Sequence, residues 1–292
     1  MFSFKPIVKI TSFMLLASAG VMSGVAQAQE KGTVNLAYVE WSDAVASTNV
    51  MRAVLEKAGY NVELTSLSAA VMWQALATQD ADAITTAWLP TTHADYYGRV
   101  GDQVEDFGAN LDGTKLGLVV PKNSSLDSIS DINTHSDELG GKIVGIDPGA
   151  GMMGVTEEAI EEYGLDINLQ SGSGATMTAA LEAAIKNNEE IVVTGWTPHW
   201  MFARWDLKYL EDPKNAFGGA EQIHTIVRQG LEEDMPEAYA ILDNFEWTPK
   251  ELGEVMLMNQ KEGSDPYQNA KQWVEDNPEI VSEWIPETAT SS

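Results

Sequence analysis

ITTAWLP, residues 84–90, has a second copy in the same chain: residues 192–198 read VVTGWTP. Both are a short β-branched run, a Thr, a small residue, a Trp, a spacer and a Pro. The likeness extends upstream. Residues 69–90 (AAVMWQALATQDADAITTAWLP) and 175–198 (ATMTAALEAAIKNNEEIVVTGWTP) each read as an Ala-rich helix, a polar turn, a strand and Trp-x-Pro. Further back, AGYNVELTSLS (58–68) answers YGLDINLQSGS (163–173) as a Gly turn followed by a strand. Each half therefore predicts strand, loop, helix, strand, helix, strand, Trp-x-Pro. Alternating βα units imply parallel sheets with right-handed crossovers, and ligands of such sheets sit at the carboxyl ends of strands.

Taken in order, TVNLAYVEW (33–41) is an apolar strand suited to a buried position, and Ser42 or Asp43 caps the helix after it. KLGLVVPK (115–122) is a further strand, and the first crossing between halves is expected at 119–121. SSLDSISDINTHSDELGG (124–141) reads as a polar loop, and KIVGIDPGAGMMGVTEEAIEEYG (142–164) opens the second half. The strand QIHTIVRQG (222–230) returns to the first half, and helices near 236–243, 249–261 and 266–276 cover it. A chain that leaves one lobe and comes back makes a two-segment hinge, the layout of domain closure around a ligand. The expected fold is α/β and bilobal, with parallel-sheet lobes at 31–119 plus 222–292 and at 120–221.

Composition narrows the function. Lys5 and Lys9 precede an apolar run (10–22), and Ala26-Gln27-Ala28 is a cleavage signal, so residues 1–28 read as a secretory signal peptide. The mature chain is expected to start near Gln29 without a lipid anchor, in a periplasm. Absence of Cys from the sequence excludes disulfides, thiolate zinc sites and Cys nucleophiles. Removing the signal leaves 15 basic residues against 44 acidic. That surface repels nucleic acid and anionic membrane. Four scattered His show no metal-site spacing, and no G-x-S-x-G, P-loop or H-E-x-x-H occurs. No cofactor, metal or catalytic residue is expected.

Trp88 and Trp196 end strands in stiff turns, because Pro fixes φ and removes a donor. Trp247, in DNFEWTPKE, is a third Trp-x-Pro, here ahead of a helix. The other Trp, Trp41 included, are assigned mainly to the core. Three indoles around a cavity suit a quaternary ammonium, which has no N–H to donate and is held by ring faces and dispersion. Gly149-Ala150-Gly151-Met152-Met153-Gly154 has the form of a dinucleotide fingerprint, but the acid it requires about 20 residues on is missing. What remains is a helix N-terminus near Gly151, ready for an anion, with Ser42-Asp43-Ala44-Val45 as its counterpart. His93 is a candidate donor to the same anion, and His199 a packing residue. A zwitterion with a quaternary ammonium at one end and a carboxylate at the other would use both devices.

AWLPTTHADYY (87–97), KLGLVVP (115–121), IVGIDPGAGMM (143–153), VVTGWTPHWMFARWDLKYLEDP (192–213) and EVMLMN (254–259) resemble the glycine betaine/proline betaine substrate-binding proteins of ATP-binding cassette importers. The likeness runs over about 31–286, and TGWTPHW is its most distinctive segment. The resemblance implies a type II bilobal receptor, a monomer outside the cytoplasm, that closes a Trp cage on an osmoprotectant and docks on a membrane permease. Carried over by motif position, the cage falls on Trp88, Trp196 and Trp247, and the carboxylate amides on Ala44 and Val45. Trp41-Ser42-Asp43 is similar to a W-[ST]-D segment of the choline-binding branch, which keeps choline open with Asp43 as a contact. Dimethylsulfoniopropionate and carnitine stay open beside it. An enzyme acting on small zwitterions would need a nucleophile–base pair, of which the sequence offers no sign. An amino-acid receptor would need acceptors for a primary ammonium.

Overall fold

The repeated pattern folds twice. The computed structural model describes Met1 and residues 31–286; apart from Met1, the expected signal peptide lies outside the described residues. The first unit runs β1 (Thr33–Tyr38), α1 (Ser42–Lys57), β2 (Asn61–Ser66), α2 (Ala69–Ala77) and β3 (Ala83–Leu89), then α3 (Ala94–Val100) and β4 (Val104–Pro121). The second runs β5 (Lys142–Val144), α4 (Gly151–Tyr163), β6 (Asn168–Gln170), α5 (Gly174–Asn187) and β7 (Val193–Thr197). In both units a glycine with left-handed backbone closes the first helix: Gly59 at φ 98° and Gly164 at φ 61°. α6 (Met201–Arg204), β8 (Leu207–Tyr209) and β9 (Glu221–Arg228) follow.

Strand order is β2-β1-β3-β9-β4-β7-β5-β6, with β8 on β4. β1 lies parallel to β2 and β3, and β5 parallel to β6 and β7. The sheets are therefore not purely parallel: β9 and β4 insert between the two parallel groups and run antiparallel to their neighbours. The cause is the connection itself, since a strand leaving one lobe and the strand coming back lie side by side in opposite directions. β4 is longer than the expected 115–122 strand. Through Thr114 it pairs with β9, and from Lys115 it pairs with β7. The change of partner thus falls between Thr114 and Lys115, upstream of the 119–121 crossing read from the sequence.

The polar stretch 124–141 contains a 3-10 helix, Ile129–His135, started by a Ser128–Asp131 capping box. The C-terminal segment forms α7 (Leu231–Asp234), α8 (Pro236–Asp243), α9 (Pro249–Asn259), α10 (Pro266–Asp276) and α11 (Pro278–Trp284). The last four each open on Pro, which costs nothing in a first turn whose N–H groups have no helical partner. α9 and α10 pack on α1, so α1 is covered on both sides and buries even Ser47, Thr48 and Asn49. Among the described residues no helix is long and apolar enough to cross a membrane.

Candidate functional site

β1, β3 and β7 deliver three Trp to one cavity between the lobes. Trp88 sits near the end of β3, where all seven residues are buried, and Trp196 near the end of β7. Trp41 follows β1 and immediately precedes α1, its carbonyl accepting the first helical bond from Val45 N without a side-chain cap. Both Trp-x-Pro turns carry a cis X-Pro bond, at Leu89-Pro90 and Thr197-Pro198. The cavity holds about 290 Å³ of space, mouth included, and the three indoles, Asp43 and His93 line it together with Gly151 and Met152 at the start of α4.

One carboxylate joins the two repeated Trp. Trp196 Nε1 donates to Asp43 Oδ1 at 3.0 Å and Trp88 Nε1 to Asp43 Oδ2 at 3.3 Å. Trp41 Nε1 donates to Asp147 Oδ2 at 2.8 Å. Each of the three cavity indoles thus has its N–H satisfied by a carboxylate. Asp43 is 2% exposed. Burial pushes its pKa up to about 6 from the ordinary 3.8, against the pull of the two indoles and of the Asp43 and Ala44 amides. In this closed conformation ionised Asp43 is disfavoured relative to the unfolded chain. Its contribution to stability is complete below about pH 4 and is lost as pH rises through about 6. Asp43→Asn removes that titration. The wild type should lose about 3 kcal/mol relative to the variant between pH 4 and 7 in denaturant titrations, at about 1.4 kcal/mol per pKa unit. A difference that stays constant across that range rules the account out.

His93 is buried, and burial lowers its pKa to about 3, so the ring is neutral. Its Nδ1 accepts from Trp88 N at 3.1 Å, while Trp88 O accepts from His93 N. The ring proton is therefore on Nε2, a donor on a residue lining the cavity. His199 accepts from Met201 N through Nδ1 and stands edge-on to Trp196, with centroids 4.5 Å apart at 82°. It holds the second Trp-x-Pro turn in place.

Four of the residues expected from sequence reach the cavity by side chain, namely Trp88, Trp196, His93 and Asp43; Gly151 lines it as well. Trp247 does not. It packs against Phe245 and Trp273, at centroid distances of 5.3 and 6.1 Å, and its N donates to Asn110 O. The same tripeptide serves a different purpose there, since Thr248 caps α9 with Glu251 and Pro249 opens the helix. The third indole of the cavity is Trp41, assigned to the core from sequence. Its position past the carboxyl end of β1 was the signal available.

Ala44 and Val45, expected as carboxylate amides, do not line this cavity. Val45 N is already bonded to Trp41 O at 2.8 Å, and the Asp43 carboxylate occupies the start of α1. The helix N-terminus that meets the cavity is that of α4. Gly151 lies so close to the other lobe that an added Cβ would stand 1.9 Å from Thr92 O. Tyr96 Oη donates to Gly149 O across the same gap at 2.7 Å. The Thr91–Thr92 turn facing Gly151 is held by Glu221 at the start of β9: Oε1 accepts from Thr91 N at 2.6 Å and Thr92 N at 2.7 Å, and Oε2 from Thr92 Oγ1. In so acidic a chain no sequence signal separates Glu221 from its neighbours. Among the described residues no cluster of three His, Asp or Glu side chains is disposed to hold a metal ion.

Residues 32–276 match the family described as the substrate binding domain of ABC-type glycine betaine transport systems, OpuAC. The chain belongs to this family. It is 52% identical over 151 residues to the glycine betaine/carnitine transport binding protein GbuC of Listeria monocytogenes. That match takes in 51% of this chain and about half, 50%, of the relative. The fold is similar to lactococcal OpuAC in its closed conformation complexed with glycine betaine, with a TM-score of 0.83, 42% identity and coverage of 87% of this chain and 100% of that one. It is also similar to an ABC-transporter choline binding protein in complex with choline, with a TM-score of 0.80, 31% identity and coverage of 86% and 91%. The architecture of the OpuAC family, a type II periplasmic binding protein with a curled mixed sheet, is the bilobal α/β fold expected from the two halves of the sequence.

Proposed function

We propose that this chain is the extracytoplasmic receptor of an ATP-binding cassette importer and captures glycine betaine or proline betaine between its lobes. The observation that carries the proposal is the junction at Asp43, where indoles from opposite lobes share one carboxylate and line one cavity with Trp41. Indole faces and a buried carboxylate favour a cation that cannot donate a hydrogen bond. The start of α4 and His93 Nε2 favour a carboxylate at the ligand's other end. The lobes close about the strand crossings near Thr114 and Glu221, and the closed form docks on the membrane permease. The protein works in the periplasm after loss of residues 1–28, by binding and release without turnover.

A second reading is choline, favoured by Asp43 in the cavity wall, since a ligand with no carboxylate of its own gains most from that charge. Calorimetry on the mature protein with glycine betaine, proline betaine, choline, carnitine, dimethylsulfoniopropionate and glycine decides between them. Betaines are expected to bind in the micromolar range and glycine not at all. Trp196→Ala should weaken betaine binding about 30-fold, one desolvated cation–π contact of about 2 kcal/mol, with an unchanged circular dichroism spectrum. Equal affinity for glycine and betaine would falsify the receptor reading.

A further inference from the structure

Two of the indole–carboxylate bonds cross the cleft in opposite directions. Trp41 of the first lobe reaches Asp147 of the second, and Trp196 of the second reaches Asp43 of the first. Asp147 does not line the cavity. It is half buried in the loop between β5 and α4, where its own carbonyl accepts from Ala150 N and its carboxylate is left to Trp41. We infer that Asp147 is the closing latch of this receptor: a positioning residue that sets the Trp41 ring against the ligand when the lobes shut. The inference rests on the cage reading above.

Trp41 is 6% exposed, and a buried indole N–H without a partner is costly. In an open form Trp41 Nε1 meets water; in the closed form the far lobe must supply the acceptor, and Asp147 does. The bond fixes the plane of the ring, and the negative charge at its N–H edge raises electron density on the faces that meet a cation. Because the two partners sit on different lobes, the bond is absent from the encounter complex and present only after closure. It therefore prolongs the bound state and leaves arrival unchanged.

Stopped-flow tryptophan fluorescence with glycine betaine on the mature protein tests the latch. Asp147→Ala is expected to raise koff about tenfold, with kon within about twofold and the ligand-free Tm unchanged. Asp147→Asn keeps an acceptor oxygen and should return koff to within about threefold of the wild type. Trp41→Phe keeps a ring and removes the N–H, so it should raise koff less in the Asp147→Ala background than in the wild type. A koff for Asp147→Ala within twofold of the wild type overturns the latch while leaving the receptor reading intact. So do a loss confined to kon, an Asn variant as fast as the Ala variant, or additive effects in the Trp41→Phe cycle. Failure of the wild type to bind any quaternary ammonium removes the receptor reading and the latch with it.

Discussion

Gly151→Ala is expected to fold like the wild type and to lose betaine affinity at least a hundredfold. The new Cβ would lie 1.9 Å from Thr92 O, 2.9 Å from Thr92 C and 3.0 Å from Thr92 Cγ2. Two of those atoms are backbone, and Glu221 holds both the amide and the hydroxyl of Thr92, so the turn cannot step aside. The lobes would have to back off by about 1.5 Å to reach an ordinary contact. Bonds across the cleft, 2.8 Å at Trp41–Asp147 and 3.0 Å at Trp196–Asp43, would then pass beyond hydrogen-bonding range. The fold itself has no reason to suffer. Gly151 begins α4 with an ordinary backbone, and Ala favours a helix more than Gly does. A hundredfold loss corresponds to about 2.7 kcal/mol. Calorimetry and a thermal melt measure both halves of the expectation, and an affinity within tenfold of the wild type would refute the close approach.

Arg228→Met is expected to do the reverse, lowering stability with little direct effect on the cavity. Arg228 Nε lies 2.7 Å from Asp82 Oδ1, and Asp82 Oδ2 accepts from Asn35 N at 2.7 Å. One carboxylate thus ties β1, the start of β3 and the end of β9 together beneath the first lobe. Methionine keeps the volume but strips the buried carboxylate of its cation. Removing one partner of a buried ion pair costs about 3–5 kcal/mol, because the remaining charge stays buried. In a chain of this size that lowers Tm by roughly 6–20 °C. Replacing both partners with apolar residues should recover much of the loss. A single variant that melts within about 2 °C of the wild type would show the pair to be dispensable.

The repeat was legible because local chemistry is written twice. Gly59 and Gly164 end helices where only a left-handed backbone turns the chain back, and apolar runs place β3 and β7 inside. The helices at Pro236–Asp243 and Pro266–Asp276 fall where their prolines put them. The first half of β4 was not legible. DFGANLDGT (106–114) has the Asp, Asn and Gly of a turn, and it becomes strand because β9 lies beside it, with register shifts along the ladder. Propensity there yields to a neighbour that arrives more than 100 residues later.

The amino-acid sequence by itself determined two βα units, the strand ends on which Trp88 and Trp196 sit, and the acidic charge of the chain. Those depend on hydrophobic period, glycine and proline, which act within a few residues. Tertiary structure alone decided which third indole joins them and which helix start meets the cavity. Trp247 carried the right tripeptide and was taken by the packing around α9, whereas Trp41 lacked it and was brought in by the end of β1. Likewise the start of α1 was filled by its own Asp43, leaving that of α4 at the cavity. Such choices depend on which atoms compete for one space when two lobes close, and no local pattern encodes that competition.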